Sequence, residues 1–441
     1  MDEQAVVIGA GIAGLTAAQV LSRRFSHVTV LDRDDLPDAP VPRRGVPQGA
    51  HPHLLLVSGL NALTTLFPGL DADLTAAGGL WFDSGTGLCV YRLGRRWPNA
   101  PTGVTLLSVS RPQLETVIRQ RVAATPNVTI RDNVAVSGLI GDGDRVTGVR
   151  LDDGEVLPTA LVVDGTGRSA RSDSWLGDLG WPAPARVEVK IGVAYATRIY
   201  RREPDQIPGW QGMIVLPTPP HETASGLAIP IEGDRWLINV GGWHQERPPG
   251  DPASFEAAAR ALPDSGVYDV MSKSEPLSDI VTHGYPASRW RRFDELGRLP
   301  GGYAAVGDAF CSFNPIYGQG MTCAALEATA LGDALDRHDG ATGPDTIRDY
   351  YAAAARTIAT PWQFAVGGDF GWPQTVGPRP RGVAVRNWYA RQIGYASQID
   401  PEVNATFIAV QHLLESPDVL MKPRFLAKVL RTRLSAGAPS R

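Results

Sequence analysis

The sequence predicts an α/β chain in three parts: a discontinuous parallel-sheet domain, an inserted and mostly antiparallel β-sheet domain, and a helical C-terminal region. Three observations predict it. The apolar run Ala5-Val6-Val7-Ile8 leads straight into the glycine-rich turn Gly9-Ala10-Gly11-Ile12-Ala13-Gly14 and then a helical stretch. A second strand, turn and helix of this kind follows far downstream, around Gly307-Asp308 and Gly318-Gln319-Gly320. Between them, from about residue 186, the chain changes to strand-like runs separated by turn residues.

The elements follow in order. Residues 5–8 form a buried strand, residues 15–25 a helix, and residues 27–31 a second strand ending at Asp32. Residues 34–53 carry Pro37, Pro40, Pro42, Pro47 and Pro52, which makes a long irregular loop. Such loops in compact domains usually serve function. Residues 111–124 predict a helix and 128–130 a strand; residues 146–151 and 156–163 predict a hairpin around Asp152-Asp153-Gly154. Strands are expected at 187–200, 213–216, 226–230 and 235–240. The chain returns with a strand at 302–306 and a helix at 320–337. Residues 345–435 are mostly helical, interrupted by a Pro/Gly loop at 373–381.

Composition bounds the function. The 441 residues include 48 glycines and 36 prolines, yet 43% are hydrophobic, so the chain is loop-rich and globular. A formal net charge of -4 argues against nucleic acid as a partner. Three cysteines cannot build a disulfide framework and fit a reducing compartment. Two stretches without charge, 5–21 and 309–326, mimic a signal peptide and a membrane span. The acidic start Asp2-Glu3 opposes the first reading. Asn314, Pro315, Gly318 and Gly320 interrupt the second. The expectation is a soluble cytoplasmic protein without a membrane span.

The first turn fits G-x-G-x-x-G in its full context: it follows a strand, opens a helix, and has an acid, Asp32, at the end of the next strand. Gly9 makes the tight turn, Gly11 lets backbone approach a pyrophosphate, and Gly14 permits close helix–strand packing. An acid at position 32 suits an unphosphorylated ribose, which leaves NAD or FAD. In the second turn, Asp308 at a strand end suits a ribitol hydroxyl. Pro315, Gly318 and Gly320 let backbone pass a flat ring, and the helix start beyond them favours a negative charge.

These two motifs, in this order, resemble the group A flavoprotein monooxygenases of the para-hydroxybenzoate hydroxylase-like fold. The resemblance covers residues 1 to about 340. Within it, Arg43-Arg44-Gly45-Val46-Pro47-Gln48, His51-Pro52-His53, Ser110-Arg111 and Asn314-Pro315-x-Tyr317-Gly318-x-Gly320-Met321 look like the bacterial polyether epoxidases. The resemblance implies extended FAD, reduced by NAD(P)H or by a partner flavin reductase. A flavin C4a-hydroperoxide formed with dioxygen then epoxidises or hydroxylates a hydrophobic natural-product intermediate. It implies a discontinuous Rossmann-like FAD-binding domain (1–70, 105–185 and 285–345), an inserted substrate-binding sheet domain (71–104 and 186–284) and a C-terminal helical region (346–441). Position by position, the cofactor contacts implied are Gly9, Gly11, Ile12, Ala13, Gly14, Asp32, Arg33, Arg43 or Arg44, and Arg111. Val134, Asp164, Gly165, Asp308, Pro315, Gly318, Gly320 and Met321 complete them.

The departures are informative. The run Asp164-Gly165-Thr166-Gly167-Arg168 stands where the family often carries Asp-Gly-x-x-Ser-x-x-Arg, which leaves a separate reductase as an alternative to direct nicotinamide reduction. The Trp-x-Trp-x-Ile-Pro run of flavin halogenases is absent. No metal-ligand cluster or paired carboxylates stand out, as suits chemistry carried by a cofactor. His51, His53 and Tyr317 are candidates for the flavin edge. Tyr195, Met213, Trp236 and Phe313 are candidate walls of an apolar pocket, in a chain with as many tryptophans as phenylalanines, eleven each. The alternatives are an FAD-dependent reductase of prenyl-type double bonds and a non-catalytic flavin-binding protein.

Overall fold

The computed structural model describes residues 3–203, 206, 209–245 and 247–435. Strand Gln4–Ile8 is buried after its first residue, as a parallel strand covered on both faces must be. It is the middle of five parallel strands in the order Tyr303–Ala305, Leu161–Asp164, Gln4–Ile8, His27–Leu31, Val128–Arg131. The chain thus leaves the central strand to one side first and adds the other side later. Ligands of open α/β sheets bind at such a reversal, beyond the carboxyl ends of the strands.

Helices Ile12–Leu21 and Gly320–Arg337 begin beyond those ends and pack against each other. Helix Val57–Leu66 lies on the second of them, where Gly59 lets it close on Thr322. Helix Arg111–Ala123 starts with Ser110 accepting the Gln113 N–H, a local signal that fixes where Arg111 emerges.

The inserted sheet has eight strands in the order Cys311–Ser312, Val281–Arg291, Arg186–Arg201, Arg235–Gly242, Ala224–Ile231, Gly212–Val215, Leu88–Arg92, Arg95–Arg96. All neighbours are antiparallel except Gly212–Val215 beside Leu88–Arg92. Alternation gives it two unlike faces. The outer face, with Ala196, Tyr200, Met213, Val215, Trp236 and Ile238, forms a separate core under helices Pro252–Arg260 and Gly266–Ser272. The inner face presents Tyr195, Thr197 and Asn239, with His283 paired to Tyr195 and Thr197 to Asn239. Helices Pro344–Asp369, Val383–Ser397, Pro401–Gln411 and Pro423–Ser435 follow, and three of them pack on Val90 and Trp97 through Phe364, Ile393 and Phe407.

Several elements differ from the sequence expectation, two of them instructively. Residues 156–163 are not one strand. Val156–Pro158 pairs with Val146–Leu151, and the chain then turns so that Leu161–Asp164 joins the parallel sheet. Pro158 has no N–H with which to continue the ladder, while the Thr159 hydroxyl and Ala160 N–H both bond the Gln4 carbonyl. Strand Val281–Arg291 has no counterpart in the predicted elements. Its Gly284, Pro286 and Ser288 weaken the propensity signal, and pairing with Arg186–Arg201 overrides it. Among the described residues, no helix is long and apolar enough to cross a membrane.

Candidate functional site

The glycine motif is built as its spacing demands. Gly9 has φ +100°, a left-handed value, and a Cβ there would lie 2.7 Å from the Gly165 carbonyl oxygen. Gly14 packs so tightly on the Gly9 carbonyl that no side chain fits. Gly11 differs: an added Cβ would meet only Arg43 and Glu115, at 3.8 and 3.9 Å. The space beside it is bounded by charged groups and not by backbone. Helix Ile12–Leu21 has no side-chain cap and no acid in its first turn. Its N–H groups and partial positive charge therefore remain available to an anion.

A charged cluster borders this space. Arg43 donates to Glu115 at 2.7 Å and to Asp32 and Asp34 at 3.1 Å each, and Arg111 reaches Glu115 at 3.3 Å. Burial lowers the Arg43 pKa, but Glu115 and Asp32 outweigh it and the net shift is upward. Arg111 goes down, because burial dominates its contact with Glu115. Arg44 and Arg33 are exposed. The structure therefore brings Arg43, and not Arg44, into the site. Asp32 also accepts the Ala10 N–H at 2.6 Å, and Val134 donates its own N–H to the Asp32 carbonyl.

Asp308 lies where this cluster meets the second motif. Its carboxylate accepts no hydrogen bond among the described residues. Burial raises its pKa, opposed by Arg168, Arg111 and Arg291. Gly320 stands over it, at 3.6 Å from an added Cβ to the carboxylate. Helix Gly320–Arg337 again lacks a side-chain cap and a first-turn acid. Below it, Glu327 is fully buried and accepts the Gly307 N–H at 2.6 Å, which holds the turn carrying Asp308. Burial pushes the Glu327 pKa well up.

From Asp308 the polar path continues to the inserted sheet. Arg168 donates to the Ala287 carbonyl and the Ser312 hydroxyl and lies 4.2 Å over the Tyr285 ring. His283, His51 and Tyr195 follow, with ring centroids 4.9 to 5.6 Å apart. His51 is buried; its Nδ1 meets the Thr197 hydroxyl at 2.7 Å and its Nε2 has no partner. His53 closes the path with Nδ1 2.8 Å from the His51 carbonyl. A carbonyl only accepts, so Nδ1 carries the proton and Nε2 keeps a free lone pair. Burial pushes both histidines down to about 3, with His283 adding to the effect on His51 and Arg111 to that on His53. Both are neutral near pH 7.

Beyond the second motif, one oxygen of Asp369 accepts from Trp243 and Asn314 at 2.8 Å each and from Tyr317 at 3.2 Å. Its other oxygen is buried without a partner. Burial raises its pKa to about 7 against the pull of these donors. Trp243 stacks on Trp372 at 4.6 Å. This cluster joins the sheet, the Asn314–Gly320 turn and the end of a C-terminal helix.

The sequence-predicted residues thus divide. Gly9, Gly11, Ile12, Ala13, Gly14, Asp32, Arg43, Arg111, Asp308, Gly318, Gly320, His51, His53 and Tyr195 come together along one path. Pro315 and Tyr317 lie in the turn, Met321 opens its helix, and Phe313 packs edge-on to Trp362 in the main core. Asp164 sits deeper than the rest. Its carboxylate is fully buried and engaged by the Thr166 N–H and hydroxyl and by Tyr303, which ties it into the fold. Gly165 packs closely against Gly9 and Gly14. Met213 and Trp236 are a correction: alternation sends them to the outer face of the sheet, into the other core. Sequence reasoning missed His283, Glu327 and Asp369. Each sits on an element whose partners are remote in sequence, and no local spacing marks them.

Comparison with known proteins agrees with this geometry. Residues 7–44 match the model of the NAD(P)-binding Rossmann-like domain. The chain is 35% identical to Protein Rv3254 of Mycobacterium tuberculosis over 97% of its own length and 94% of that protein's. The chain belongs to the family of Rv3254. The chain shares its fold with several solved proteins. The flavin-dependent brominase Bmp2, solved as a triple mutant, superposes with TM-score 0.67 at 16% identity, covering 98% of this chain and 99% of that one. PqsL of Pseudomonas aeruginosa, described as a probable FAD-dependent monooxygenase, superposes with TM-score 0.59 at 19% identity, covering 84% and 97%. At these identities the likeness is one of fold.

Proposed function

We propose that the protein is an FAD-dependent monooxygenase that epoxidises or hydroxylates a hydrophobic natural-product intermediate, a polyketide or terpenoid alkene or an aromatic. The observation that carries this reading is the unpartnered Asp308 carboxylate between two uncapped helix starts. A flavin dinucleotide has the matching parts: a pyrophosphate for the first helix start, a ribitol for Asp308 and an electron-rich ring for the second. The open side of Gly11 and the charged cluster around Arg43 and Arg111 fit the pyrophosphate. When bound, the flavin supplies the redox chemistry and the activation of dioxygen.

The chain's own residues do the rest. Gly320, open on its Asp308 side, would let a flavin ring approach, and the 51–54 segment packs Leu54 against Gly318, whose left-handed φ of +67° holds the turn. Neutral His51 and His53 add no charge to the inner chamber, and His53 Nε2 can accept a hydrogen bond. The buried aromatic surroundings exclude water, which orientation-driven oxygen transfer requires. Fold likeness to PqsL and Bmp2 supports a flavin enzyme. The test is turnover under labelled dioxygen, read by mass. Incorporation of one labelled atom into product supports the oxygenase; turnover without dioxygen would replace it with the double-bond reductase. Flavin reduction by NADPH or NADH alone, followed by absorbance, distinguishes direct reduction from a partner reductase.

A further inference from the structure

We propose that Arg92 is the counter-ion for a carboxylate at one end of an otherwise apolar ligand, which lies along the inner face of the eight-stranded sheet. Arg92 ends strand Leu88–Arg92. Cys89 and Tyr91 point to the outer core, so alternation sends Val90 and Arg92 to the inner face. Arg92 is only partly exposed. Among the described residues its guanidinium has no ion pair, no hydrogen bond and no aromatic ring beneath it. Charged side chains in such enclosed places are otherwise paired. Burial lowers its pKa, and Tyr317, in the second glycine-rich turn, is the titratable group that acts on it.

The neighbours give the rest of the ligand. Val90 pairs with Ile214, Ile214 with Leu227, Leu227 with Asn239, and Asn239 with Thr197, one row across five strands. Val90, partly covered by the C-terminal helices, and Ile214 and Leu227 are partly exposed on this inner face, whereas Cys89, Met213 and Ala228 on the other face are buried. The row is apolar beside Arg92 and ends at Thr197, which holds His51. With strands about 4.8 Å apart, it spans on the order of 19 Å. One unpaired guanidinium balances one carboxylate; a phosphate ester, with more charge, would need further cations, and only Tyr317 acts on Arg92. The ligand class is therefore a long or polycyclic carboxylic acid. The inference rests on the oxygenase reading only where it calls this ligand the substrate.

The test uses calorimetric titration of the purified protein, with its flavin content recorded, against decanoate and 2-naphthoate and their primary amides. At least one acid should bind about tenfold or more tightly than its amide. Arg92→Gln should abolish that preference and Arg92→Lys should keep part of it. No acid binding, no preference over the amide, or a preference that survives in Arg92→Gln would overturn the proposal. Thermal unfolding guards against a structural role: Arg92→Met should melt no lower than wild type, since it removes an unpaired charge. A lower Tm would reveal a protein partner and also overturn it. Loss of flavin in Arg92→Gln would do the same. A wild type without flavin would defeat the oxygenase reading but leave the acid preference to be judged by itself.

Discussion

Asp308 and Asp369 are two enclosed carboxylates with opposite surroundings. Asp308 has cationic neighbours but no hydrogen-bond donor, so a ligand hydroxyl is the partner it lacks. Asp308→Ala should lower the flavin retained on purification about tenfold, read from the absorbance ratio; full occupancy would refute the ribitol role. Asp369 has three donors and no cation. Folding raises its pKa from 3.8 to about 7, so the folded chain keeps a proton that the unfolded chain releases. Its stabilising contribution is full below about pH 4 and is lost as pH rises through about 7, at up to roughly 1.4 kcal/mol per pH unit. Asp369→Asn should flatten that slope in denaturant unfolding measured between about pH 4 and 7. An identical slope in the variant would show that the group does not titrate there.

At the scale of elements, the site depends on where two helices begin. Gly11→Val would fill the one open side of the first turn without touching backbone. It should leave folding nearly intact, judged by circular dichroism, and abolish FAD binding. Gly14→Ala meets the Gly9 carbonyl directly and should cost roughly 1–3 kcal/mol of stability, as overpacking does. The contrast separates a ligand-facing glycine from a packing one, although both stand in the same motif. That much was legible in the sequence: strand, turn and helix are contiguous, and each glycine's task follows from its place in the turn. Glu327 was not legible. It lies among helix-forming residues, and only the fold carries it to the Gly307 N–H. Strand Val281–Arg291 was hidden for the same reason, since its strength lies in the partner strand.

At the scale of the molecule, three regions meet at one path. The Rossmann-like sheet supplies both helix starts, the inserted sheet supplies His283 and Tyr195, and the C-terminal helices supply Asp369. Because FAD would bridge these regions, its addition to flavin-depleted protein should raise Tm. Saturation a hundredfold above Kd stabilises by about 2.7 kcal/mol. A Tm indifferent to FAD would argue against the cofactor reading.

The sequence by itself determined the α/β class, the two glycine turns and the packing roles of Gly9 and Gly14, because these are properties of a few consecutive residues. It also named the loop that carries Arg43, His51 and His53. Only the tertiary structure placed Arg43, and not Arg44, beside the first turn, tied Asp164 to Thr166 and Tyr303, and sent Met213 and Trp236 to the far face of the sheet. It alone brought His283, Asp369 and Arg92 toward the path. Burial and pairing are set by elements that meet in space, and a side chain's direction on a strand counts only once the sheet's two faces have been assigned to different neighbours.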